Sequence, residues 1–224
     1  MHRRRRTAVT LSAAALLAAT PLLTACGNDA RPGAAAVVGE QRITVEQLEG
    51  RVNAVRAAQR TAIEDDAQYA QVLAGSGELT RSTLHTMVLD RVLARAAHDA
   101  GVGVTRKDVQ QLRKGLALQA GGEKGLQAAW LQQYNVPPSQ LDASLRTEVS
   151  AQKLSEALGA DMNTPAGQRT FWKALGNASE ALGVRLNPRY GTWSVAENGR
   201  VGRVDAPTPW VRAVSEPDPG ATVL

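Results

Sequence analysis

The polarity pattern opens on four consecutive arginines at positions 3–6, followed by an uncharged, largely apolar stretch over 8–23. Residues 27–33 (GNDARPG) are polar and rich in turn formers. A short apolar run at 34–38 meets Gly39-Glu40, which reads as a turn, and Arg42-Ile43 leads out of it, so a small strand or hairpin is expected. Thr44-Val45-Glu46-Gln47 fits a capping box. Val45, Leu48, Val52 and Val55 then keep one apolar face at three- and four-residue spacing, which predicts a helix from Thr44 to about Ala62. Glu64-Asp65-Asp66 and the small residues at 74–77 (AGSG) frame a looser segment.

The strongest helical pattern covers 80–100. Leu84, Met87, Val88, Val92, Leu93, Ala96 and Ala97 form a stripe wide enough for a central, well-buried helix, and Gly101 ends it. Thr105 caps a further helix with Val109, Leu112 and Leu116 inward, and Gly121-Gly122 breaks it. Leu126, Ala129, Trp130 and Tyr134 mark a short helix. Pro138 falls at the first position of the next, which carries Leu141, Leu145 and Val149 to about Leu158. Thr164-Pro165 starts the last helix, with Phe171, Trp172, Leu175 and Leu182 on its face, and Gly183 stops it. Val184-Arg185-Leu186 alternates like a strand, and Asn187-Pro188 turns the chain. From Asp205 onward proline content rises and periodicity ends, as in a disordered tail. No internal repeat is visible.

The N-terminal pattern carries its own meaning. A positive segment before a short apolar one is the signature of an export signal, and 8–23 is too short and too rich in alanine and threonine for a permanent span of about 20 apolar residues. An ordinary cleavage site places small residues at −3 and −1, but position −3 to Cys26 is Leu23. Leu23-Thr24-Ala25-Cys26-Gly27 resembles the lipobox of bacterial lipoproteins. That resemblance implies a signal peptide over 1–25, a diacylglycerol on the Cys26 thiol, and a cleaved chain that starts at Cys26. Two acyl chains at about 0.8 kcal/mol per buried CH₂ anchor stably, where one is marginal. Residues 26–33 would be the tether.

Composition then removes alternatives. The formal charge of +5 rests on 26 Lys+Arg against 21 Asp+Glu, but four of the arginines lie in the signal, so the rest is nearly neutral and makes no case for nucleic acid. Cys26 is the single cysteine, so no intramolecular disulfide and no cysteine metal site can form. Aromatic residues make up only 4% of the chain, so the core has to be built from Leu, Val and Ala, which suits packed helices.

With these elements in order, the chain resembles the SurA/PrsA-type extracytoplasmic chaperones. The residues that carry the resemblance are Val37-Val38-Gly39-Glu40-Gln41-Arg42-Ile43-Thr44 and the link Gly101-Val102-Gly103-Val104-Thr105 with Lys107-Asp108-Val109 after it. Trp130-Leu131 to Leu145-Arg146 and the returning segment Leu186-Asn187-Pro188-Arg189-Tyr190-Gly191 complete them. The family's usual Asn-Gly turn is Gly39-Glu40 here. The resemblance implies a mainly α fold: a helical SurA-N-like domain over 34–194, with a small β-sheet joining N- and C-terminal strands and a tail over 195–224. Many members insert a parvulin prolyl-isomerase domain before the returning strand. Here residues 159–183 are fewer than the roughly 40 an independent domain needs, and they read as one helix, so that module and its catalytic residues are not expected.

Candidate chemistry is sparse. His85 and His98 are thirteen residues apart on one predicted helix, point to nearly opposite faces and cannot share a metal. Glu64-Asp65-Asp66 lacks EF-hand spacing and reads as a solvated loop. No nucleophile elbow, Walker or dinucleotide motif occurs, and Asn177-Ala178-Ser179 is an incidental sequon in an exported bacterial chain. Trp130 and Tyr134, one turn apart, could line a groove for unfolded chains, although packing into the helical core is the better account. Trp193 is expected over the sheet and Trp210 in the tail.

The expected function is an ATP-independent chaperone (holdase) that binds unfolded, newly exported proteins, without catalysis or cofactor. It would be held on the extracytoplasmic face of the cell membrane through lipid on Cys26. The alternative is a structural or adaptor lipoprotein that binds one folded envelope partner.

Overall fold

A computed structural model describes residues 33–74 and 76–195. The signal, Cys26, most of the tether, Trp210 and nearly all of the expected tail lie outside the described residues. Within them the order is β1 (Ala34–Val38), β2 (Gln41–Thr44), α1 (Val45–Ala62), α2 (Asp66–Ala74), α3 (Ser76–Asp99), α4 (Arg106–Gln119), α5 (Glu123–Tyr134), α6 (Leu141–Ala157), α7 (Pro165–Leu182) and β3 (Arg185–Leu186). One-turn 3-10 helices, Pro138–Gln140 and Pro188–Tyr190, precede α6 and follow β3. The fold is mainly α, with one small sheet, as the sequence led us to expect. Among the described residues no helix is long and apolar enough to cross a membrane.

The sheet closes the chain on itself. Its order is β2-β1-β3 and both pairings are antiparallel. β1 is central, and all five of its residues are buried. Ala36 faces Leu186 and Val37 faces Arg185, so the strand that follows α7 completes the ladder of the strand that opens the domain. Gly39 turns the hairpin at a φ of 59°, and its N–H donates to Leu182 O at 2.7 Å, which fixes the turn against the end of α7. A side chain there would be strained and would press on Leu182.

Caps set most helix boundaries. Thr44 with Gln47 and Thr105 with Asp108 form complete capping boxes, and Thr164 caps α7 with Pro165 behind it. Gly183 ends α7 in the left-handed region. Three expectations need correction. The looser segment after α1 contains a nine-residue helix, α2, with no buried residue. α3 starts at Ser76, not Thr80. Pro138 opens the 3-10 turn, and α6 begins at Leu141.

The apolar stripes meet in two clusters. The larger joins the sheet to α1, α3, α7 and the end of α6 through residues such as Leu48, Leu84, Val88, Leu154, Phe171 and Leu175. Each of these side chains contributes about 1.5–3 kcal/mol by burial. The smaller joins α4, α5 and the start of α6 through Val109, Leu126, Leu141, Leu145 and Val149. α6, roughly 25 Å long at 1.5 Å per residue, belongs to both. Arg113 of α4 locks the smaller cluster from outside by pairing with Glu123 and Asp142, the acids at the N-termini of α5 and α6. Those bonds raise the Arg113 pKa and lower that of Glu123.

Candidate functional site

α4 and α6 share the smaller cluster through their inner faces and leave a groove of ≈ 390 Å³ between their outer ones. Its apolar floor is Leu112, Leu116 and Val149. On the α4 wall stands Gly115, where a Cβ would meet nothing within 4 Å, so the groove is open where a side chain is missing. Leu118, one turn further along α4, is 75% exposed. Amides form much of the rim, with Gln111 and Gln119 on α4 and Gln152 on α6.

Charge gathers toward the end of the groove where α4 begins. Lys153 Nζ lies 2.6 Å from Asp108 Oδ2 and donates to Gly103 O at 3.2 Å. The Lys153 bond, joined by those with Thr105, holds the Asp108 carboxyl down at about 2. Asp108 and Lys153 therefore neutralise each other. Glu156 follows on the same face of α6, exposed to solvent.

The residues singled out in the sequence lie elsewhere. Cys26 is outside the described residues. His85 is buried, and its ring stacks on Trp193 with centroids 5.6 Å apart. The His98 side chain is 86% exposed beside Asp99. The two histidines thus occupy different surroundings. In the acidic run, Asp65 accepts from Gln68 N–H at 2.6 Å and caps α2, while Asp66 pairs with Arg60. Trp130 and Tyr134 form an edge-to-face pair at 5.4 Å, half-buried, with Trp130 against the smaller cluster and not in the groove. Trp193 packs against the larger cluster, to which the sheet contributes Ala35, Ala36, Val38 and Ile43; its indole N–H donates to Ser179 Oγ of α7 at 2.8 Å, and its ring meets His85 of α3.

The sequence reading missed the groove residues Gln111, Gly115, Gln119, Gln152 and Glu156. The signal available was a Gln-Gly-Gln series at four-residue spacing on α4, a polar stripe interrupted by a glycine inside a helix.

No curated protein and no solved structure matches the chain. The family model described as SurA-like N-terminal domain matches residues 1–155, more than half the length, and the chain therefore belongs to the SurA-like N-terminal domain family.

Proposed function

We propose that this chain is a membrane-tethered, ATP-independent holdase that binds unfolded segments of newly exported proteins. The observation that carries the reading is an open apolar groove between α4 and α6 in a chain of the SurA-like N-terminal domain family. A groove with an apolar floor and adaptable amide rims suits many partners, because apolar contact supplies affinity without demanding one sequence. Binding of this kind needs no nucleotide, cofactor or bond-making step. The lipobox-like Leu23-Thr24-Ala25-Cys26 supports the location: lipid on Cys26 would hold the domain at the extracytoplasmic face of the membrane. The seven residues from Gly27 to Gly33 reach at most about 25 Å, which keeps the domain close to where exported chains emerge.

The test is suppression of aggregation of a chemically denatured model protein on dilution. The expected outcome is suppression that saturates at a few-fold molar excess, with no requirement for ATP. No suppression at a several-fold excess counts against the holdase reading. Crosslinking in cells separates the adaptor alternative: many unfolded clients support the holdase, and one stoichiometric folded partner supports the adaptor.

A further inference from the structure

We infer that the α4/α6 groove takes an extended polypeptide segment with an apolar side chain at the groove's centre and a lysine or arginine four residues away, on the same face of the segment. This rests on the reading of the chain as a binder of unfolded polypeptide, and it names what that site selects.

The apolar lining of the groove fixes the first element. The floor of Leu112, Leu116 and Val149 is apolar, and Gly115 leaves the space above it empty. A side chain placed there replaces contact with water by contact with three aliphatic groups. The rim fixes the backbone conformation. Gln111, Gln119 and Gln152 offer amide groups, and each amide carries both donors and an acceptor. A helical segment has used its backbone N–H and C=O groups internally, whereas an extended one presents them sideways, where such amides can reach them.

Charge fixes the last element. Asp108 and Lys153 are bonded to each other, so neither is open to a partner's charge. Among the described residues Glu156 makes no ion pair, and it leaves the groove with one uncompensated negative charge. Val149 and Glu156 lie on one face of α6, seven residues and about 10 Å apart. Extended chain rises ~3.3 Å per residue and its side chains alternate between two faces, so the residue that points the same way as the apolar one and reaches past that distance is the fourth along. A basic side chain at that spacing meets Glu156 while the apolar one occupies the centre. The contact is exposed and therefore tunes selection among apolar segments more than it sets affinity.

The experiment uses the intact chain and three labelled peptides that share one leucine and differ only four residues from it, at Lys, Gln or Glu. Binding is read by fluorescence anisotropy at low salt. The lysine peptide is expected to bind several-fold more tightly than the glutamine peptide, and the glutamate peptide most weakly. Glu156→Gln should abolish that ranking. Gly115→Leu puts a side chain into this space from a Cβ position that meets nothing within 4 Å, and should weaken all three peptides about tenfold or more. A melting curve of each variant confirms that the fold is retained. If the ranking survives in E156Q, or binding survives in G115L, the assignment is overturned. If the G115L chain also suppresses aggregation as well as the unaltered chain does, this groove is not the client site, while the holdase reading stands. If G115L loses peptide binding but the unaltered chain suppresses no aggregation, the groove assignment stands and the holdase reading falls.

Discussion

Asp90 shows how a single buried charge shapes stability. It sits half-buried on α3. Burial pushes its carboxyl up to about 6, with Arg51 and Arg91 pulling in the other direction. Between about pH 4 and pH 6 the folded chain therefore keeps a proton that the unfolded chain has released, and stability falls as pH rises through that window. Asp90→Asn removes the burden. Urea unfolding should show the variant more stable at pH 7.5, by at most about 3 kcal/mol, and no more stable at pH 4. A loss of stability at pH 7.5 would mean that attraction to the two arginines outweighs desolvation. Gly115 makes a cleaner case. It lies inside α4, its Cβ position is empty, and glycine is the costliest ordinary residue in a helix. Gly115→Ala should raise stability by about 0.5–1 kcal/mol, seen as a higher urea midpoint at unchanged slope. The helix carries this cost at a residue that lines the groove.

Among elements, the dependence of β1 on β3 is the most consequential. β1 is central, and one side of its ladder is filled by Arg185–Leu186 and by Asn187 N–H, which donates to Ala35 O at 2.9 Å. Truncation after Gly183 removes that side together with Tyr190 and the Trp193 contacts to Ser179 and His85. It leaves buried backbone groups of β1 without partners. Truncation after Val204 leaves every one of these contacts in place. Thermal melts should show a large fall for the first chain and a small one for the second. Equal melts would mean that β3 is incidental to the fold. This closure was legible beforehand, because two short apolar runs beside turn residues need partners and the helices between them offer none. Most helices were legible for a related reason: Thr44, Thr105 and Thr164 announce their starts, and Leu84 to Ala97 carry a stripe no other element could satisfy. α2 was missed because it buries nothing and so has no stripe, although Asp65 followed three residues later by Gln68 is a cap signal. The groove was missed because it belongs to neither helix. Gln111 and Gly115 gain meaning only beside Val149 and Gln152, some 40 residues away, and periodicity within one helix does not report on the space between two.

At the scale of the whole molecule the family match ends at residue 155, inside α6, while the fold does not. α7 supplies Phe171, Trp172 and Leu175 to the larger cluster, and β3 completes the sheet, so the physical unit runs some 40 residues past the matched region. Its first residues are tied down at once: Gly33 O accepts from Val45 N–H at 2.9 Å, and β1 follows directly. On the proposed reading Cys26 serves to carry lipid, and the polar residues 27–33 link it to the domain. Cys26→Ala should abolish incorporation of labelled palmitate and release the chain from the membrane fraction, because two acyl chains supply the anchoring and no described helix can replace them. The same variant should unfold at the same urea midpoint, because this reading gives residue 26 no role but to carry lipid. Equal palmitate label in the variant and the unaltered chain would sink the lipobox reading. A lowered midpoint in the variant would show instead that the N-terminal segment packs on the domain, and the tether would then be part of the fold.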